Sequence, residues 1–186
     1  MKNVATIVSV LVVEFVLLAL FVNSGLYNVS TLSPDPGFLH WIFSTTSDNS
    51  AGHHSEGIAV PSLTDTSMIS EGFDHYHEMC VTCHGAPGVA RSEIGQGLYP
   101  HPPNLVNSAK ELGPARLFWV IKNGIKSTGM PGFAKTHSDQ KIWAIVAFLE
   151  KMKSMSPNEY AAFEKNMEST AANDGAMKMD VPHRRR

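Results

Sequence analysis

Cys80-Val81-Thr82-Cys83-His84 is the stretch on which the reading of the whole chain turns. It holds the only two cysteines in 186 residues. Two are too few for a disulfide-dense scaffold, a four-cysteine zinc site or a four-thiolate iron–sulfur cluster. Thiols three positions apart lie about one helical turn from each other and can form thioethers to the two vinyl groups of a porphyrin. The next residue then sets an imidazole under the iron. C-x-x-C-H is accordingly the pattern of covalent c-type haem attachment. Rival uses of the pentapeptide are weaker. A thioredoxin-like dithiol needs βαβ surroundings, and those here read as helix and loop. Zinc would need further ligands at suitable spacing, and a Cys80–Cys83 disulfide would leave His84 without a role. The expectation is one haem c, bonded through Cys80 and Cys83, with His84 on the iron.

Working outward, a compact all-α domain is expected over residues 70–154. Ser70 is a fair N-cap for a helix running to about Cys80, with Gly72, Phe73, Tyr76 and Met79 at three- and four-residue spacing. Gly113 and Pro114 open a second helix that ends at Asn123 before Gly124. Ser138 caps a third, in which Ile142, Ile145, Val146 and Leu149 keep helical spacing. Some 85 residues build only a thin core, so a porphyrin bonded at three points is expected to be part of the fold. Forty-six residues after His84 stands Met130, in Ser127-Thr128-Gly129-Met130-Pro131-Gly132-Phe133. A methionine is commonly core filler, and the chain has nine. Met130 differs because Gly129 and Pro131 flank it and no helical face surrounds it. A thioether on so slim a strap can approach an iron. His75, His77, His101 and His137 are the alternative distal ligands.

Over about Ser70 to Lys153 the sequence resembles the class I (mitochondrial-type) cytochromes c. Gly72 and Tyr76 stand where that family crosses its first helix over its last, and Trp143 with the apolar residues after it resembles that last helix. Pro103-Asn104-Leu105 matches the family's Pro-x-Leu, whose proline carbonyl accepts a hydrogen bond from the haem-ligating histidine. Thr128-Gly129-Met130-Pro131 matches the segment that supplies the distal methionine. The resemblance implies a cytochrome c fold around one haem, His84 and Met130 axial, and one-electron transfer without catalysis or a small-molecule substrate. His/Met ligation raises the reduction potential. Outside the domain the likeness is looser, to membrane-anchored bacterial cytochromes c.

The flanks fit that likeness. Val4 to Val22 is a run of 19 residues, apolar except for Thr6, Ser9 and Glu14, and such a helix nearly matches the roughly 30 Å hydrocarbon core of a bilayer. Residues 1–23 are read as a transmembrane anchor, with a secretory signal cut after Ser24 as the alternative. Either one exports the rest of the chain, so a single-pass protein of a bacterial inner membrane with a periplasmic haem domain is expected. Glu14 is either protonated within a lone helix or hydrogen-bonded to another transmembrane subunit. Residues 24–69 read as a linker without sustained period, carrying one apolar island, Phe38 to Phe43, that fits an interfacial aromatic belt. His53 and His54 read as a solvated loop pair. Residues 155–186 are expected to give a short helix, 158–167, and a loose tail ending in Arg184-Arg185-Arg186.

Fifteen Lys and Arg against 17 Asp and Glu argue against nucleic acid as a partner. The charge is unevenly placed. Lys110, Arg116, Lys122, Lys126, Lys135 and Lys141 oppose only Glu111 and Asp139, which would steer an acidic redox partner towards the methionine strap. The partners expected are redox proteins or subunits of a membrane complex. A tethered electron carrier is the first reading; a fixed subunit of a larger oxidoreductase and a haem-based gas sensor are the alternatives.

Overall fold

The computed structural model describes residues 2–179, which divide into two compact units, one ending at Asp35 and one beginning at Pro36. The first contains α1, Lys2–Asn23, whose apolar side chains are all exposed. Residues Asn3–Asn23 reach a mean hydropathy of 2.7, enough in length and composition to cross a bilayer or to serve as a signal sequence. Two of its polar side chains bond back to the helix itself: Ser9 donates to the carbonyl of Ala5 at 2.9 Å and Asn23 to that of Ala19 at 2.7 Å. That satisfies them without water.

The second unit is helical, and its described residues contain no β-strand beyond an isolated Ala86–Val89 bridge. It opens with α2, Gly37–Ser55, inside the segment expected to lack regular structure. Ser, Thr and Gly in its second half give little intrinsic helix stability. What supports it is contact with α7, Pro114–Asn123. Ala51 is buried, Arg116 donates to the Asp48 carbonyl at 2.7 Å and to its carboxylate at 3.2 Å, and His54 stacks on Trp119 with centroids 5.5 Å apart. His53 and His54 thus lie on a helix and not on a loop, while both stay exposed to solvent.

Helix α3, Thr66–His75, starts earlier than expected from Ser70. Asp65 is the cap: its carboxylate accepts from Met68 N at 3.0 Å and from Ser67 Oγ, which holds it below the usual carboxylate range. The chain continues through a π-helical turn, Tyr76–Cys80, into α4, Val81–His84. Two short elements follow, α5 (Glu93–Gly97) and α6 (Leu105–Leu112), capped by Ser92 and Asn104. After α7, a 3₁₀ turn at Phe133–Lys135 leads to α8, Asp139–Met152, capped by Ser138. Helix α7 starts and stops where Gly113, Pro114 and Gly124 put it, and α8 starts directly after Ser138 as expected. Finally α9, Pro157–Met179, runs well past the short helix expected there. Arg184 to Arg186 lie outside the described residues.

The core sits where α3 crosses α8. A Cβ on Gly72 would lie 1.9 Å from the carbonyl oxygen of Ala144, so only glycine permits so close an approach. Around it Phe73, Tyr76, Ile142, Ile145, Phe148 and Leu149 are buried, and Phe73 meets Phe148 edge to face at 5.4 Å. Helix α9 adds the fully buried Tyr160 and sets Phe163 against Phe73 at 5.4 Å. On the other side Phe118 of α7 stacks on Trp143 at 4.2 Å.

Candidate functional site

The pentapeptide lies where the chain changes helical type. Cys80 ends the π turn, while Cys83 and His84 sit on α4. An inserted π turn re-aims the residues after it without breaking the helix, and such turns recur at functional sites. Gly85 stops the helix at φ 67°, and a Cβ there would meet the Val89 carbonyl oxygen at 2.5 Å. Tyr76 fixes the same corner, donating its hydroxyl to the Gly85 carbonyl; burial raises the phenol far above its ordinary pKa. Behind α4, Gly95 of α5 is so close that a Cβ would lie 2.8 Å from the carbonyl oxygens of Thr82 and Cys83. Ser92 N bonds Thr82 O at 3.0 Å, closing the loop onto the helix.

The two thiols are half-buried and not joined to each other. Burial, with Cys83 adding, pushes the free Cys80 thiol up to about 12. A thiol held that high is a poor thiolate nucleophile at neutral pH, unlike those of redox dithiol enzymes. His84 Nδ1 lies 2.8 Å from the carbonyl oxygen of Pro103. A carbonyl only accepts, so Nδ1 carries the proton and Nε2 keeps its lone pair. Burial lowers the pKa of the imidazole, outweighing the Pro103 bond, and favours this neutral form. An imidazole so fixed is in the state a metal ligand requires.

Met130 sits on a loop held by its own backbone. Ile125 N donates to Met130 O at 3.2 Å, Met130 N to Thr128 Oγ1 at 3.1 Å, and Thr128 Oγ1 to Ile125 O at 2.8 Å. The loop begins at Gly124, where φ is 69° and a Cβ would meet Gly132 N at 2.5 Å. A Cβ on Gly129 would meet the Leu98 side chain at 2.8 Å. Leu98 opens the segment that carries Pro103, so the strap and the support of His84 are neighbours. Half-buried apolar side chains, among them Val81, Leu105, Val106, Met130 and Phe133, pack at the edge of the core. This donor set fits a haem: two thiols a turn apart, a neutral imidazole with one nitrogen free, a thioether on a slim strap, and apolar surface for a porphyrin to cover.

The other histidines have their own engagements. His75 and His137 meet ring to ring at 5.1 Å, His77 lies 3.3 Å from a Glu164 carboxylate oxygen, and His101 Nδ1 is 2.8 Å from Leu98 O. The basic segment is partly neutralised. Lys122 pairs with Asp139 at 2.7 Å and Arg116 with Asp48 at 3.2 Å. Lys110, Lys126, Lys135 and Lys141 remain exposed and have no ion pair among the described residues. Three contributors carried no readable signal for their roles: Gly95 behind Cys83, Leu98 beneath Gly129, and Thr128 as the internal brace of the strap.

The family model for cytochrome c oxidase, cbb3-type, subunit III matches residues 67–149. Residues 67–149 form a c-type cytochrome domain. The match takes in α3 through most of α8, and with them the pentapeptide, Pro103 and Met130. A c-type cytochrome domain implies haem c, iron and electron transport, and an electron carrier in place of a catalytic enzyme. No curated protein matches the chain.

Proposed function

We propose that the protein is a membrane-tethered monohaem c-type cytochrome, carrying single electrons between redox complexes on the periplasmic side of a bacterial inner membrane. In this reading residues 1–23 are a retained anchor, 24–69 connect it to the haem domain, and 155–186 follow that domain. The observation that carries it is the fixed imidazole: His84 Nδ1 held 2.8 Å from Pro103 O directly after two unjoined thiols. Cys80 and Cys83 would hold haem c as two thioethers, each S–H adding across a vinyl group with nothing expelled. His84 Nε2 and the Met130 sulfur would hold the iron, which would supply the one-electron couple. Thr128 keeps Met130 in place and Pro103 keeps His84 in one tautomer, so neither ligand need reorganise when the charge changes. Exposed Lys126 and Lys135, on either side of Met130 in the chain, give an acidic partner a place to approach.

A second reading has its own support. The matched family is described as an oxidase subunit, and Glu14 stands in the middle of an exposed apolar helix. A fixed place in a membrane oxidoreductase would accommodate both.

The test is expression with haem c maturation, followed by denaturing electrophoresis and spectroscopy. Wild type should keep its haem through denaturation, and Cys80→Ala with Cys83→Ala should release it. Met130→Ala should bind carbon monoxide when reduced, with a potential lower by on the order of 0.1 V, a fraction of the range that axial ligands command. A wild type that loses its haem on denaturation, or a Met130→Ala protein with unchanged spectrum and potential, would overturn the assignment. Sizing of the native extract then tells the free carrier from the subunit.

A further inference from the structure

The electron-transfer reading leaves the first two turns of α2 unused. Phe38 is 67% exposed, Trp41 60% and Phe43 58%, and Phe38 stacks on Trp41 with centroids 6.3 Å apart. A stacked, exposed Phe–Trp pair is costly to keep in water. The helix itself separates this patch from the docked side. Trp41 stands ten positions before the buried Ala51 along the helix, about 2.8 turns, which puts it on the flank of the helix and not on the side of Ala51. Phe38 lies thirteen residues from Ala51, about 3.6 turns, and so also falls well away from the side that meets α7. The second half of α2 is clamped by Arg116 on Asp48 and by His54 on Trp119. The aromatic half therefore projects from a helix that the cytochrome unit already holds.

Thirteen residues, 24–36, join the end of α1 to the start of α2, a span of at most about 45 Å. Phe38 to Phe43 contains no acidic side chain, Lys or Arg, only His40. Trp and Phe without nearby charge are suited to the headgroup boundary of a bilayer, where a helix lies in the interface with its aromatic face inward. We infer that the first two turns of α2 seat Phe38 and Trp41 in the lipid interface, and that the clamp on α7 passes this contact on as a fixed orientation of the haem domain to the membrane. The occupant is lipid, since the patch directly follows a bilayer-length apolar helix in the chain. The inference rests on residues 1–23 being a retained anchor.

The experiment uses the full-length holoprotein in nanodiscs of phosphatidylethanolamine and phosphatidylglycerol. Nitroxide labels are placed by Phe38→Cys, Trp41→Cys and, as an exposed control in the second half of α2, Asn49→Cys. Wild type is carried in parallel, so that any label taken up by Cys80 or Cys83 is subtracted. Relaxation by oxygen, which concentrates in lipid, is compared with relaxation by a water-soluble nickel chelate. Oxygen should dominate at 38 and 41 and the chelate at 49. Chelate access at 38 equal to that at 49 would overturn the inference. So would shielding of 38 from both reagents, which marks a protein contact. Intact mass of the same sample reports whether residues 1–23 are retained, so loss of the anchor and failure of α2 to insert are read separately.

Discussion

The α3–α8 crossing and the strap from Gly124 to Phe133 are both built on glycine, yet they are held in opposite ways. At the crossing, Gly72 removes a side chain so that two helices can bury large ones: Phe73, Tyr76, Phe148 and Leu149 close around it. In the strap, Gly124 and Gly132 bring backbone against backbone, and the side chains stay half-buried or exposed. The crossing is stabilised by apolar burial that belongs to the protein alone. The strap has a few hydrogen bonds and the half-buried Met130 side chain. The crossing is thus held by the protein's own burial, while the strap, in the proposed reading, would be completed by haem.

The crossing should be the less forgiving of the two. Gly72→Val puts atoms where the Ala144 carbonyl already lies at 1.9 Å from an ideal Cβ, and backbone on both sides cannot yield as a flexible side chain would. The expected cost is about 4 kcal/mol or more, in the range reserved for severe overpacking. Holoprotein should fail to accumulate, or should melt far below wild type when followed by circular dichroism. A Gly72→Val protein with wild-type melting would show that the helices can part cheaply, and the contrast would disappear.

Thr128→Val attacks the strap and leaves the crossing alone. The valine is close in shape but loses the bond to Ile125 O and the acceptor for Met130 N. Each such bond is worth about 1 kcal/mol net. Amide exchange in the holoprotein should speed up at Ile125 and Met130 by the equivalent of about 1–2 kcal/mol. Exchange at Ile145 and Phe148, in the crossing, should not change. Acceleration in both regions would mean they open together and are not separately held.

Legibility divides along the same line. Helices α7 and α8 can be read locally, because Pro114, Gly124, Ser138 and the spacing of Ile142, Ile145, Val146 and Leu149 each act on neighbours in sequence. The start of α3 lies about one turn before the one Ser70 signals, since Asp65 is the residue that reaches the free amides. Helix α2 escapes a local reading for a different reason. Its Ser- and Gly-rich second half has no apolar period, and its support, Arg116 on Asp48, comes from 68 residues away. Helix α9 likewise depends on Tyr160 and Phe163 finding Phe73, a contact no local pattern announces. At the site, the pentapeptide is legible as chemistry and the Pro103 contact through family resemblance. Leu98 under Gly129 is legible only in three dimensions.

The smallest effect should arise where the two regions touch. His137 follows the 3₁₀ turn that ends the strap, and its ring meets His75 of α3 at 5.1 Å and Phe133 at 5.3 Å. Thr136 Oγ1 lies 2.8 Å from its Nδ1. Burial, then His75 and Lys141, hold its pKa below the ordinary histidine value. The folded protein therefore binds this proton less tightly than the unfolded chain, whose histidine titrates near pH 6.5. Stability from this group is complete above that pH and is lost as acidification proceeds towards the lower folded value. His84 is also lowered, but if it ligates iron as proposed, its Nε2 is not free to protonate, and the window in the holoprotein would then belong to His137. Melting of the holoprotein at pH 7.5 and 5.5 should show wild type losing stability on acidification and His137→Gln losing less. An identical loss in the variant would mean that protonation of His137 is not felt by the fold, and that the strap end and α3 separate without cost when its ring is charged.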